Sequence, residues 1–451
     1  MGKDLNELYI KLLLLHAVMA FAIYLYRPIS PLLMLGVLGY FTFITIQNEN
    51  RNNEALMGAA YIAGAEVYFR MTDGMVFYET GKYMVIIFLV IGMFFKGTSS
   101  KTVPYWTYLL ILLPGVIIAS LNWGYEFSFR KQVAFNLSGP VCLGVTALYC
   151  YYKKINKLDF QKVILMLLLP VISQMIYLFL YTPSLREGLI SMSGNYAATG
   201  GYGPNQISTV MGLGAFLLVI RLFTIKHKLI NILDLILLGL MGYRAVITFS
   251  RGGVFTAIIC VSLFLFFFYY KQDRREQARI NIKIFTIAAS FLIIWIVSSI
   301  NTFGLIGNRY MNRNAAGELK ADITTGRAEL VETELHAFYN HPVLGIGAGR
   351  GRQYREETLG VEIASHNEIS RLLSEHGLLG VFALLILIFV PVVFWFKFKN
   401  NYYFMAFVAF WFLTINHSAM RIALPGFVYG LALLYIVDDK KDPVHRKRLT
   451  A

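Results

Sequence analysis

Charge is scarce in this chain: Asp, Glu, Lys and Arg make up 15% of its 451 residues, while 57% are hydrophobic and the mean hydropathy is +0.57. That balance excludes a soluble globular domain, because apolar runs of roughly 16–23 residues recur along the chain, enough to cross a ~30 Å hydrocarbon core. Cysteine is nearly absent. Cys142, Cys150 and Cys260 all fall inside apolar runs, which excludes a disulfide framework or a cysteine metal cluster and leaves small core residues. Acid is also short, with 26 Asp and Glu against 41 Lys and Arg, for a net charge of +15. The outer loops contain no pair of aspartates, and the only dense acidic stretch, DDKKD, lies in the C-terminal tail. No clear internal repeat is present.

What is there reads as an all-α, polytopic transmembrane bundle. Fourteen apolar runs suggest spans near 9–25, 28–46, 55–70, 80–95, 104–121, 132–151, 160–182, 205–222, 229–249, 253–270, 280–300, 377–396, 402–418 and 421–436; about 12–14 is the expected range. The first run reads as an uncleaved helix, since its small residues lie inside it. Lys153, Lys154, Lys157, Lys226, Lys228, Lys271, Arg274, Arg275, Lys397, Lys399 and the HRKRL tail fall on the side shared with the termini. The positive-inside rule makes that side cytoplasmic. Most cations are thereby topology signals spread over short loops, and nothing points to nucleic acid. Four sections follow: N-terminal helices 1–182, core helices 183–300, a large outer loop 301–376, and C-terminal helices with a tail, 377–451.

On the outer side arginine outnumbers lysine, against the topology rule. Arginine is a planar, permanent cation that grips phosphate with two parallel hydrogen bonds, which lysine cannot do. The competing explanation is pairing with Glu329, Glu332, Glu334 and Glu362. GYRAVITFSRGG puts Arg244 and Arg251 seven residues apart, two turns and about 10 Å on one helical face, with Gly252 and Gly253 breaking the helix behind them. Snorkelling to headgroups is the alternative. Glu66 and Arg70 read as a structural i, i+4 ion pair. Asp234 is expected to pair with Lys226 or Lys228.

The loop before Pro204 and Asn205 is rich in Gly, Ser and Asn and carries Arg186; it suits wrapping a headgroup or merely connecting helices. In the large loop, TTGRAELVETELHAFYN predicts an amphipathic helix opening near Thr325, with Leu330, Val331, Leu335 and Phe338 on its apolar side and Arg327 in the first turn. HPVLGIGAGRGRQYR has alternating glycines but neither the spacing nor the βαβ setting of a dinucleotide site, so it reads as a turn lined by Arg350, Arg352 and Arg355. In SHNEISRLLSEHGLLG, Ser365 and Glu368 suggest a capping box. His366 then stands at a helix start, where the dipole keeps the imidazole neutral and able to accept a proton. A capping or solvated histidine is the bland alternative.

GPNQ, SRGG, GRAEL, NHPVLGIGAG and SHNEISRLLSEHGLLG together resemble the O-antigen ligase family and its polymerase relatives over about residues 195–385. The resemblance implies an all-helical fold of the C-type glycosyltransferase kind, in a bacterial inner membrane, with both termini cytoplasmic and a periplasmic loop capping the active site. It implies an undecaprenyl-diphosphate-linked glycan as donor, a hydroxyl of lipid A–core oligosaccharide or of another glycan as acceptor, and membrane lipids as surroundings. The family's catalytic residues fall on His366, Arg251 and Arg327; Arg186, Arg244, Arg350, Arg352, Asn205 and Asn367 are further candidates for substrate binding. The chain departs from the family in its number of spans and in lacking the tryptophan that often follows the loop arginine, near Val331.

In such chemistry arginines neutralise the departing diphosphate and a histidine takes the acceptor proton. Transfer is thus expected to need no metal or other cofactor and to invert the anomeric carbon. Glu368, Glu375 and His376 are candidates to orient His366. A polymerase joining repeat units needs the same donor site. A lipid-linked sugar transporter, the alternative of another class, would place ionisable groups near mid-membrane.

Overall fold

The computed structural model describes residues 3–122, 127–182, 198–314, 316–319, 326–360, 362–399 and 401–437. Its helices are α1 (Lys3–Leu25), α2 (Ile29–Gln47), α3 (Glu54–Met71), α4 (Thr80–Lys96), α5 (Val103–Ile111), α6 (Leu113–Asn122), α7 (Phe127–Cys150), α8 (Lys157–Tyr181), α9 (Pro204–Thr224), α10 (Lys228–Ile247), α11 (Arg251–Tyr269) and α12 (Arg274–Asn301). These are followed by α13 (Leu305–Tyr310), α14 (Arg327–Asn340), α15 (Gly351–Leu359), α16 (Glu368–His376), α17 (Leu378–Lys397), α18 (Phe404–Ile415) and α19 (Leu424–Ala432). The all-α expectation holds with one addition: strands β1 (Lys154–Asn156) and β2 (Tyr435–Val437) form a short parallel pair, Ile155 opposite Ile436.

All fourteen predicted spans contain helix, and among the described residues ten helical segments are long and apolar enough to cross a membrane. The other four are short or charged. Helix α3 carries Glu54, Glu66 and Arg70, α4 has 17 residues, α18 has 12 and α19 has 9. The span at 104–121 is interrupted at Leu112, between α5 and α6.

The core lies around α3, α8 and α9. The α3 sequence GAAYIAGA puts small residues where α8 crosses, so that a Cβ on Gly64 would stand 3.1 Å from Pro170 Cγ; small residues at a crossing let two backbones approach. Helix α9 packs on α8, α10 and α11, and its apolar window is 94% buried. From there contacts run through α11 to α18, from α18 to α19, and from α19 to α7. Several buried charges are paired, which offsets part of their desolvation cost. Glu66 binds Arg70 within α3. Asp234, however, accepts from Arg221 Nε at 3.1 Å and from the Tyr9 hydroxyl rather than from a lysine. Its side chain points into the core, whereas Lys226 points outward to Glu276 at 3.6 Å.

The alternating glycines of the large loop are threaded between helices. Gly345, Gly347 and Gly349 have φ of +71°, +98° and +85°. Ile346 N–H donates to Ser374 O (2.9 Å), Gly347 N–H to Glu375 O (3.1 Å) and Ala348 N–H to Gly115 O (2.8 Å). A Cβ on Gly347 would stand 2.7 Å from the Ala119 backbone nitrogen. Gly347→Ala therefore combines backbone strain with overpacking and is expected to cost about 2–4 kcal/mol, measurable as a lowered melting temperature of the detergent-solubilised protein.

Candidate active site

The chain reverses between α10 and α11 at Thr248, Phe249 and Ser250, with Phe249 at φ +56°. Arg244 and Arg251 therefore do not share a helical face as the seven-residue spacing suggested. Arg244 ends α10, donates to Thr182 Oγ1 at 2.6 Å and lies 4.1 Å from the Phe179 ring centre. Arg251 opens α11. Gly252 and Gly253 do not end a helix; they form its first turn, where a side chain would collide with the His417 ring and the Ser208 backbone. The missing side chains let α11 start directly against α9. Ser208 Oγ donates to Ser250 O (2.9 Å) and Ser250 Oγ to Asn205 Oδ1 (2.8 Å), tying the two helix starts together.

These starts border a cavity of about 630 Å³ lined by Asn205, Arg251, Arg309, Arg327, His366 and His417, among others. Helices α9, α11, α14 and α16 all begin at its wall, so four positive helix ends face one hollow. Gly203 and Ser250 provide no side-chain cap for α9 and α11. A turn between α18 and α19 carries Asn416 and His417 to the same cavity. At about 1.5 Å rise per residue, the 12-residue α18 is only ~18 Å long, short of the ~30 Å of a hydrocarbon core.

Three guanidiniums meet there. Arg251 Nη1 donates to Asn312 Oδ1 and Arg309 Nε to Phe249 O at 3.2 Å. Among the described residues none of Arg251, Arg309 and Arg327 is in an ion pair; Glu332 and Glu334 also line the cavity, Glu334 is held by Arg355 at 2.7 Å, and Glu362 pairs with Arg352 at 3.5 Å. Burial lowers the Arg309 pKa below its ordinary value, and the neighbouring Arg251 and Arg327 cations lower it further. Burial and then Arg251 do the same to Arg327. Three like charges against Glu332 and the Arg355-paired Glu334 leave the cavity wall net positive, which a polyanion would relieve.

His366 stands beside it. Burial, followed by Arg421, Arg327, Arg355 and His417, lowers its pKa to about 4, so the imidazole is neutral at pH 7 and can accept a proton. The cap of α16 is not the predicted box. Asn367 is the N-cap, accepting from Ile369 N–H (2.8 Å) and Ser370 N–H (3.3 Å), while Ser365 Oγ accepts from Asn367 N–H at 3.2 Å. Glu368 cannot reach back because Arg371 holds it together with Glu375. Neither glutamate orients His366. His376 is fully buried, with its ring against Gly115.

Of the residues singled out in the sequence, Arg251, Arg327, His366, Asn205 and Asn367 line the cavity; Arg244, Arg350 and Arg352 do not. Arg352 faces Glu362 and the Phe135 ring instead, and Arg186 lies outside the described residues. Sequence reasoning missed Arg309, Asn416 and His417. Arg309 is one of several arginines in the large loop, and no turn signal marks it out. The signal for His417 was a polar break, NHS, between two short apolar runs. Among the described residues no group of three His, Cys, Asp or Glu is placed to hold a metal ion.

No curated protein matches the chain. Residues 236–385, from α10 into α17, match the profile of the O-antigen ligase family. That stretch, about a third of the chain, includes Arg251, Arg309, Arg327 and His366, three convergent cations and the imidazole beside them, and through it the chain is similar to the O-antigen ligase family.

Proposed function

We propose that the cavity transfers a glycan from undecaprenyl diphosphate to a hydroxyl of lipid A–core oligosaccharide. The observation that carries this reading is the meeting at a single cavity of three guanidiniums, none in an ion pair among the described residues, and one neutral imidazole. Arg251, Arg309 and Arg327 hold the diphosphate and take up the charge that grows on it as the anomeric C–O bond breaks. The acceptor oxygen attacks the opposite face of that carbon and passes its proton to His366. The bonds balance: one C–O bond forms, one breaks, the hydroxyl proton ends on the imidazole, and undecaprenyl diphosphate leaves. A single displacement inverts the carbon. The guanidiniums do the work for which many sugar transferases hold a divalent metal between aspartates, so the transfer needs none. The distribution of lysine supports a reaction on the periplasmic face of a bacterial inner membrane.

Lipopolysaccharide from a strain lacking the gene tests the acceptor. We expect long glycan to accumulate on the carrier and core oligosaccharide to remain bare. Core bearing a single repeat instead would make the enzyme a polymerase, and unchanged lipopolysaccharide would remove both.

A further inference from the structure

The segment that carries His366 is held by the turn between α18 and α19, which lies outside the stretch matched to the family. Arg421 donates from Nη2 to Ser365 O at 2.6 Å and to Ala364 O at 3.3 Å, the two carbonyls just before His366. On the other side Asn367 Nδ2 donates to Asn416 Oδ1 at 3.3 Å, and Met420 N–H donates to Glu368 Oε2 at 3.2 Å. The turn thus grips the histidine from before and after.

The turn itself is anchored in the N-terminal half. Arg421 O accepts from both Nη atoms of Arg70 at 3.3 Å and from Lys82 Nζ at 3.4 Å. Two residues on, Ala423 N–H donates to Glu66 Oε2 at 2.5 Å. Two residues before Arg421, Ala419 adopts φ +50°, a backbone that a residue with a side chain holds only where its surroundings impose it.

We propose that Arg421 is a positioning residue for the transfer: it fixes the His366 imidazole toward the acceptor hydroxyl and keeps a permanent cation beside it. The proposal rests on the reading of His366 as the base. Its electrostatic part follows from the groups that face the ring. Arg421, Arg327, Arg355 and His417 each disfavour the imidazolium. The nearby carboxylates Glu334 and Glu368 are taken by Arg355 and Arg371.

The test compares full-length wild type, Arg421→Gln and Arg421→Lys in a transfer assay with undecaprenyl-diphosphate-linked glycan, recording kcat, donor KM and the acid limb of kcat/KM. Activity requires neutral imidazole and is lost as pH falls through its pKa. Arg421→Gln removes a cation and is expected to move the acid limb upward from about 4, towards 6.5. It is also expected to lower kcat about tenfold or more, with donor KM changed less than twofold. Arg421→Lys keeps the charge without the two-carbonyl grip; kcat should fall while the limb stays low, and this variant guards against a folding defect in the neutral one. An unmoved limb with unchanged kcat in Arg421→Gln overturns the proposal, as does a loss confined to donor KM. His366→Ala is measured alongside. Retained activity in that variant removes the base reading, whatever Arg421 does.

Discussion

His366→Ala is expected to lower kcat by about 10²–10⁴-fold, the usual contribution of a positioned general base, while donor lipid still binds. The reason is the division of the site. The groups suited to a diphosphate are Arg251, Arg309 and Arg327, and truncating the imidazole removes none of them. The wild-type enzyme should hold its kcat/KM from neutrality down to about pH 4, because His366 is already neutral throughout that range. His366→Ala should remove that limb along with the rate. Transfer at wild-type rate in the alanine variant would end the assignment, and His417, the other histidine on the cavity wall, would become the base to test.

Arg251→Lys and Arg327→Lys are each expected to reduce kcat by on the order of 10²-fold, the cost of losing one group aimed at developing charge. The substitution keeps the positive charge. What it loses is the planar fork that binds two phosphate oxygens at once. Arg309→Lys should behave similarly, though Arg309 also gives one N–H to Phe249 O and helps fix the turn before Arg251. Arg355→Lys differs in kind. Its guanidinium is buried against Glu334 and Ile363 O, so its loss should lower stability. Lysine variants at Arg251 and Arg327 with full activity would reduce those arginines to topology signals.

The bundle was legible because apolar runs of membrane length need no tertiary information to be read as helices. The limits were short helices and breaks. In α18 and α19 the reversal near residue 418 is legible from the polar Asn416-His417-Ser418, but hydropathy does not register that the first helix runs only twelve residues and the second nine. The same blindness produced the Arg244–Arg251 error: Thr248, Phe249 and Ser250 are compatible with helix, and only packing of Gly253 on Ser208 forces the turn. Arg327 and His366 could be picked out because each stands where local sequence announces a helix start, and Arg251 because the two glycines behind it mark a helix boundary. Arg309 is brought in by tertiary folding alone, while the polar break at His417 signals a turn but not its place on the cavity wall. The carboxylates illustrate the same limit, since sequence offers Glu368 to His366 while the fold gives it to Arg371.

The central claim is that a diphosphate sits among three guanidiniums within reach of His366. A cryo-EM structure of the full-length protein with undecaprenyl diphosphate tests it most directly. The account predicts phosphate density in hydrogen-bonding contact with Arg251, Arg309 and Arg327, with the imidazole facing the glycan side. Headgroup density bound elsewhere, with this cavity empty, would contradict it.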